Sequence, residues 1–497
     1  MELQMKPGPQ HRQEQKLQLP EQPQQQKPQR PSSSFSQSIP VNGVKVAEEK
    51  WVISIRERLE QAHLASSRSK LCIYRVPEYL RGNDNKAFIP QVVSLGPYHH
   101  KRNESLRDME EHKLRSLDRI LKRTSQDVKL YLDSISEVEV QARNCYVGPI
   151  SHTSHEFVYM MVLDGCFMLE IFQGAVDGFE QLGYPRNDPI FAWRSVMHTI
   201  RQDMVMLENQ IPLFILDRLL ELQFGVNEGP GERPQAAQLA LRFLDSLMSA
   251  DETLRNRNWK KRTKYANTDL DGLHCLDLLR RKPKDLRTNW MRWKPQPLDA
   301  MDEQRQRQRQ RQRQQLVRCA TELRVAGVKF KKRNTERFWD VKFKNGTLCI
   351  PRLLVHDGTK SLLLNMKAYE HCHIDCGNEV TSYLILMDNL INSDEDVKYL
   401  HRRKILENWL GSNAEVAEFF NSLCQQVAFD FQDSYISKMS ADVNNYRDKR
   451  TNEWLAIFSK NHCRNPWTII SLFAGVVFLL LTSVQTFYTV YGYYRPS

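Results

Sequence analysis

The chain has 497 residues, 41% of them hydrophobic, and carries 71 Lys and Arg against 59 Asp and Glu, a net charge of +12. That length suits two or three domains, or one large one with insertions, and the apolar content suffices for a core. Ten scattered cysteines without any C-x-x-C spacing exclude a disulfide-stapled mini-protein and fit buried free thiols in a reducing compartment.

The positive charge is local. Arg255 to Arg313 carries 18 Lys and Arg against 7 Asp and Glu, and Met1 to Lys45 carries 6 against 3. The rest of the chain is close to neutral, so nucleic-acid binding is not expected of the core.

Residues 1–48, with "QHRQEQKLQLPEQPQQQKPQRPSSS", are Gln- and Pro-rich and read as a disordered tail, since they bury too little apolar surface to offset ordering entropy. They also lack the apolar region of a secretory signal. Further on, "FIPQVVSLGPYHH" predicts a short buried strand, Ile89 to Leu95, stopped by Gly96 and Pro97. His99 and His100 follow in the turn, but Glu104, Asp108 and His112 do not complete a zinc-ligand spacing with them.

"FVYMMVLDGCFMLEIF", Phe157 to Phe172, is interrupted by Asp164 and Glu170 and reads as a core helix of a soluble domain. "HEFVY" begins like a zinc-protease helix but has Tyr159 where the second histidine is needed. In "DMVMLENQIPLFILDRLLEL" Pro212 predicts a break near Ile211 between two helical patterns, the second with Leu213, Leu216, Leu219 and Leu220 on one face. Asp203 and Glu208 are the candidate acid–base pair here, yet five residues apart on a helix they diverge by roughly 140°. Structural hydrogen bonding is the expected role.

Residues 226–315 read as a variable basic linker with a short helix near Leu273 to Arg280. Its run "QRQRQRQRQRQQ" alternates arginine from Arg305 to Arg313, which leaves no apolar face and predicts a solvated segment. Contact with RNA or anionic lipid is the alternative for that run.

Order returns at Leu316. "FWDVKFKNGTLCIPRL" predicts a hairpin with Asn345-Gly346 in a type I′ turn, Phe343 opposite Leu348, Val341 opposite Ile350, and Pro351 on an edge strand. "YEHCHIDCGN" offers His371, Cys372, His373 and Cys376, with His371 and His373 on one strand face. No second ligand pair accompanies them, so metal binding is not expected. Ser393 with Asp396 and Ser412 with Glu415 have capping-box spacing, Glu415 being the better fit, and Val416, Phe419, Phe420, Leu423 and Val427 form a helix face. A last pattern runs from Val443 through Trp454 to Phe458.

Residues 464–497 carry the strongest signal. No side chain is charged between Arg464 and Arg495, and Thr468 to Val490 exceeds the ~20 helical residues that cross a bilayer. Trp467 at one end and Tyr488, Tyr491, Tyr493 and Tyr494 at the other match interfacial belts. Phosphate-loop, dinucleotide and nucleophile-elbow motifs are absent from the sequence.

Several stretches resemble one plant family, that called domain of unknown function 247. They are "CIYRVPEYLRGNDNKAFIPQVVSLGPYHH", "MEEHKLRSL", "MMVLDGCFMLEIF", "DMVMLENQIPLF", "ATELRVAGVKFKK", "TSYLILMDNLINSDEDV" and the C-terminal apolar run, in order from Cys72 to Arg495. On that resemblance residues 49–225 and 316–463 are the two halves of a family domain. It implies a plant membrane protein with one C-terminal span, and a recognition role, since some members are associated with pollen self-incompatibility in grasses. It supplies no catalytic residue, metal ligand or cofactor.

The expected architecture is α+β: a predominantly helical soluble region with a small β-hairpin or sheet, plus one C-terminal transmembrane helix. The expected function is non-enzymatic recognition or signalling, with the membrane as one partner through residues 468–490 and a protein as another. An enzyme built on Asp203/Glu208 or on His371 to Cys376 is the alternative. Five Lys and Arg against two acids between Arg447 and Arg464 place the soluble region in the cytosol, against the two glycosylation sequons at Asn103 and Asn345.

Overall fold

The computed structural model describes residues 71–82, 84–101, 104–224, 235–248, 273–280, 316–335, 337–425, 429, 434–448 and 466–494, with Val52 and Ile55. The Gln/Pro-rich tail, Asn103, the run Arg305 to Arg313, Val427, and Trp454 and Phe458 lie outside them. Contacts divide the chain into Met1–Ser67 and Arg68–Ser497, and the elements described below lie in the second unit.

The first elements are α1 (Glu78–Arg81), α2 (Arg107–Thr124), α3 (Val128–Ser136), α4 (Glu139–Arg143) and α5 (Ser154–Asp177). Helix α5 is the hub. It is apolar on every side, as Phe157 to Phe172 predicted, and every residue from Phe157 to Gly174 except Tyr159 is buried. Its start is a complete capping box, Thr153 accepting from Glu156 N–H while the Glu156 carboxylate accepts from Thr153 N–H.

Around α5 pack α2, α3, α7 (Leu213–Phe224) and α8 (Ala236–Met248). Helix α6 (Arg194–Asp203) precedes α7, and the chain between them is non-helical from Val205, so Pro212 marks a restart rather than a kink. Helices α8 and α9 (Cys275–Arg280) both come from the segment read as a linker and both enter the core, with Phe243 and Leu244 of α8 and Cys275 to Leu279 of α9 buried.

The second half adds α10 (Ala320–Val325), β1 (Lys329–Arg333), β2 (Lys342–Lys344), β3 (Thr347–Pro351), β4 (Leu353–Val355), α11 (Asp357–Cys372), α12 (Glu379–Leu390), α13 (Asp394–Arg402), β5 (Leu406–Asn408), α14 (Asn413–Leu423), α15 (Ile436–Arg447) and α16 (Pro466–Tyr494). One sheet has the order β1-β3-β2, with β1 parallel and β2 antiparallel to β3; β4 and β5 pair in parallel. The hairpin forms as expected, with Phe343 opposite Leu348 and positive φ at Asn345 (49°) and Gly346 (71°). Val341 stops just outside the ladder. Pro351 closes the central strand instead of lying on an edge, and its missing N–H falls at the last residue of the ladder.

The caps at Ser393 and Ser412 form alike. Each hydroxyl accepts the N–H three residues on, and the carboxylates of Asp396 and Glu415 reach back to Asn392 and Gly411 N–H, both at 3.2 Å.

The two halves interlock along α11. Asn365 donates to Ala87 O (2.8 Å) and accepts from Leu207 N–H (2.8 Å), Ser361 donates to the same Ala87 O, and Lys360 pairs with Asp84 (2.6 Å). One buried amide therefore ties three distant stretches together.

Candidate functional site

Residues 89–95 do not form a strand. The backbone bends at Ile89, Gln91 and Val92, and its N–H groups find side chains where a ladder would supply carbonyls. The Asp203 carboxylate accepts from Gln91, Val92 and Val93 at 3.0, 2.7 and 2.9 Å. Asn209 accepts from Leu95 N–H at 2.7 Å and donates to Val93 O at 2.9 Å. Gly96 N–H donates to Asp164 at 2.8 Å.

The rest of "SLGPYHH" is held as closely. The Lys113 ammonium donates to Ser94 O (2.6 Å) and pairs with Asp164 (2.7 Å) and Glu110 (2.6 Å). Tyr98 is buried, donates to Val147 O at 2.8 Å and lies under the Arg75 guanidinium. His99 faces Glu208 at 3.6 Å, while the His100 ring meets His152 edge-on at 5.4 Å. The adjacent histidines therefore serve different neighbours. Both positions are a turn, as the Gly-Pro pair predicted.

Asp203 and Glu208 are not one site. Asp203 ends α6, and Glu208 lies in the loop after it rather than on the same helix. Glu208 accepts from Val76 N–H at 2.6 Å and pairs with Arg81, so it holds a different segment from Asp203. Burial pushes the Asp203 carboxyl up to about 6, with its three N–H donors pulling the other way. Burial likewise lifts Asp164 to about 6 against the pull of Lys113. Desolvation acts to lower the Lys113 pKa, but Asp164 and Glu110 together hold it above its ordinary value.

Lys113 went unrecognised in the sequence, although a signal exists. It stands at the apolar-face spacing of Met109, Leu117 and Ile120 on α2, and Asp164 interrupts the apolar run of α5. A base on one core face and an acid in another are complementary. Glu170, the second interruption, is fully buried and meets Arg123 of the same α2.

His371 and Cys372 close helix α11, and His373 caps it, so no strand face carries the histidines. His373 stacks on Tyr369 (5.2 Å, 10°) and its Nδ1 lies 2.9 Å from the Tyr74 hydroxyl, which donates to Leu71 O. Since that hydroxyl proton is taken, Nδ1 is the donor to Tyr74. Burial raises the Cys372 and Cys376 thiols to about 11 and 12, which keeps both protonated at neutral pH. Among the described residues, clusters of three or more His, Cys, Asp or Glu placed for a metal are absent. The nine described cysteines are free thiols, Cys72, Cys145, Cys166 and Cys275 buried and the other five half-buried.

Beside these residues lies a knot of buried charge. Arg280 of α9 reaches Glu370 (3.0 Å) and Glu379 (2.6 Å), and Glu370 also accepts from Val380 and Thr381 N–H at 2.9 and 2.8 Å. Tyr369 donates to Asp277 (3.1 Å), and His274 Nε2 meets Cys72 O at 3.0 Å. A polar cavity of about 560 Å³ opens elsewhere, lined by Arg318, Glu322, Asn389, Asn392 and Arg447 among others. Neither candidate cluster lines it.

Among the described residues, two helices are long and apolar enough to span a bilayer. Helix α5 is almost wholly inside the fold, whereas none of Phe473–Tyr491 in α16 is buried. Together these features define a mainly helical protein that spends its interior polar residues on its own main chain and exposes one long apolar helix.

The chain belongs to the DUF247 family, plant proteins of unknown function, whose model matches residues 73–481. It is 30% identical over 440 residues to the UPF0481 protein At3g47200 of Arabidopsis thaliana, covering 86% of this chain and 88% of the relative. It is 24% identical over 516 residues to the putative UPF0481 protein At3g02645 of Arabidopsis thaliana, covering 90% and 95% respectively. No solved structure matches.

Proposed function

We propose that the chain is a membrane-anchored, non-enzymatic recognition or signalling protein with its folded part in the cytosol. The observation that carries the non-enzymatic reading is the Asp203 carboxylate: all three of its hydrogen bonds go to main-chain N–H groups of residues 91–93. A general acid or base needs a proton path to substrate, and this one is committed to holding a loop. Glu208, Asp164 and Glu370 are committed in the same manner.

Anchoring rests on α16. Its 29 residues reach about 43 Å as a helix, more than the hydrocarbon thickness, and an exposed apolar face of that length is costly in water. Orientation rests on the basic residues before it.

The test is fractionation of the full chain from plant membranes at alkaline pH, beside a chain truncated after Arg464. The full chain should pellet and the truncation should stay in the supernatant. Protease should reach the folded part from the cytosolic side. A mass shift with endoglycosidase would place it on the other side, and equal solubility of both chains would remove the anchor. Proximity labelling with the helix intact should enrich a protein partner that the truncated chain no longer labels.

A further inference from the structure

The β1-β3-β2 sheet has two unlike faces. Phe330, Leu348 and Ile350 are buried on one side, with Phe343 half-buried beside them. On the other, the register sets Lys329 level with Thr347 and Lys344, and Lys331 level with Cys349 and Lys342. Residues paired across a ladder share a face, so four lysines flank a strip of Thr347 and Cys349 in two rows. Strands ~4.8 Å apart put the two lysines of each row roughly 10 Å from one another.

All four lysines are exposed, and none has an acidic partner among the described residues, whereas Arg333 at the end of β1 is paired with Asp340 (2.6 Å). Like charges at this spacing repel, and a fold that keeps them together leaves an unanswered positive field. The face carries no aromatic ring, so it lacks the stacking platform that single-stranded nucleic acid uses.

Its place in the fold narrows the partner. The hairpin packs on α15, with the Phe343 and Tyr446 rings 5.9 Å apart and Gly346 against Tyr446. Helix α15 ends at Arg447 and α16 begins at Pro466, so eighteen residues, 448–465, join the two. Fully extended they span about 60 Å, and they carry further Lys and Arg.

We propose that the face formed by Lys329, Lys331, Lys342 and Lys344 docks on anionic lipid headgroups of the same membrane that α16 enters. The inference rests on the anchoring reading, and uses the charge that reading leaves unassigned. Each lysine brought to an anionic leaflet contributes about a fivefold preference, which fades beyond a Debye length of about 8 Å. The contact therefore requires the tether, and salt should release it.

The experiment uses the full chain in nanodiscs of phosphatidylcholine alone or with 30% phosphatidylserine. Brief acetylation followed by mass spectrometry reads each lysine, with the exposed Lys122 and Lys398 on other elements as controls. The four sheet lysines should react at least threefold more slowly in the anionic discs, the difference should vanish in 0.5 M salt, and the controls should not change. Equal reactivity in both discs overturns the docking surface while leaving the anchor in place. A chain that fails to enter either disc overturns the anchor and the docking with it. Protection by added single-stranded RNA, but not by phosphatidylserine, would reassign the face to nucleic acid and overturn the proposal.

Discussion

Gly96→Ala tests whether the "SLGPYHH" loop is held by buried acids. Gly96 has φ +70°, a conformation that costs an L residue about 1–2 kcal/mol and glycine almost nothing. A Cβ there would lie 2.5 Å from the Gln210 carbonyl oxygen and 3.1 Å from the Tyr146 hydroxyl. Those two atoms are themselves hydrogen-bonded at 3.0 Å, and a main-chain carbonyl cannot swing aside as a side-chain tip does. Relief from the Gln210 contact must come from the loop, which stretches the charge-assisted bond from Gly96 N–H to Asp164, worth about 1.5–3 kcal/mol. With the φ term the expected loss is about 2.5–5 kcal/mol, a large share of the 5–15 kcal/mol that stabilises a typical domain. Urea unfolding of the full chain in nonionic detergent, followed by tryptophan fluorescence, should show the midpoint falling by roughly 1–2 M. A midpoint that moves by less than the equivalent of about 0.5 kcal/mol would refute the close approach and the loop assignment with it.

Burial holds His100 down to about 4, so it is neutral in the fold and titrates near 6.5 when unfolded. Its contribution is complete above the unfolded pKa and is lost as pH falls from 6.5 through 4. Solvent screening of the half-buried ring reduces the effect, so His100→Gln should remove about 1–2 kcal/mol of the stability difference between pH 7 and pH 4.5; superimposable pH profiles would contradict the assignment. Arg280→Lys keeps the charge but cannot serve Glu370, Glu379 and the Gly377 carbonyl together, so a loss of about 2–4 kcal/mol is expected. Wild-type melting of that variant would show that the knot is replaceable by a point charge.

Some of this protein is written locally in its sequence. Asn345-Gly346 specifies the hairpin because a two-residue turn with positive φ at both positions admits few other residues. Phe157 to Phe172 is recognisable as a core helix because it is apolar on all sides, and α16 stands out by length and lack of charge. Each of these is settled within one window of chain. Ile89 to Leu95 shows the opposite case. Its composition suits a strand, but a strand exists only with a ladder, and the acceptors for its N–H groups are Asp203 and Asn209, more than a hundred residues away. The roles of Asp203, Glu208, Lys113 and the residues His371 to Cys376 depend on the same kind of distant neighbour, as does the row of lysines, which only the register of three strands brings to one face. Backbone preference and hydrophobic period are properties of adjacent residues, so the sequence determines which segments become helices and turns. The energy of a charge or a hydrogen-bonding group depends on what surrounds it in space, so its task is decided only when remote segments meet.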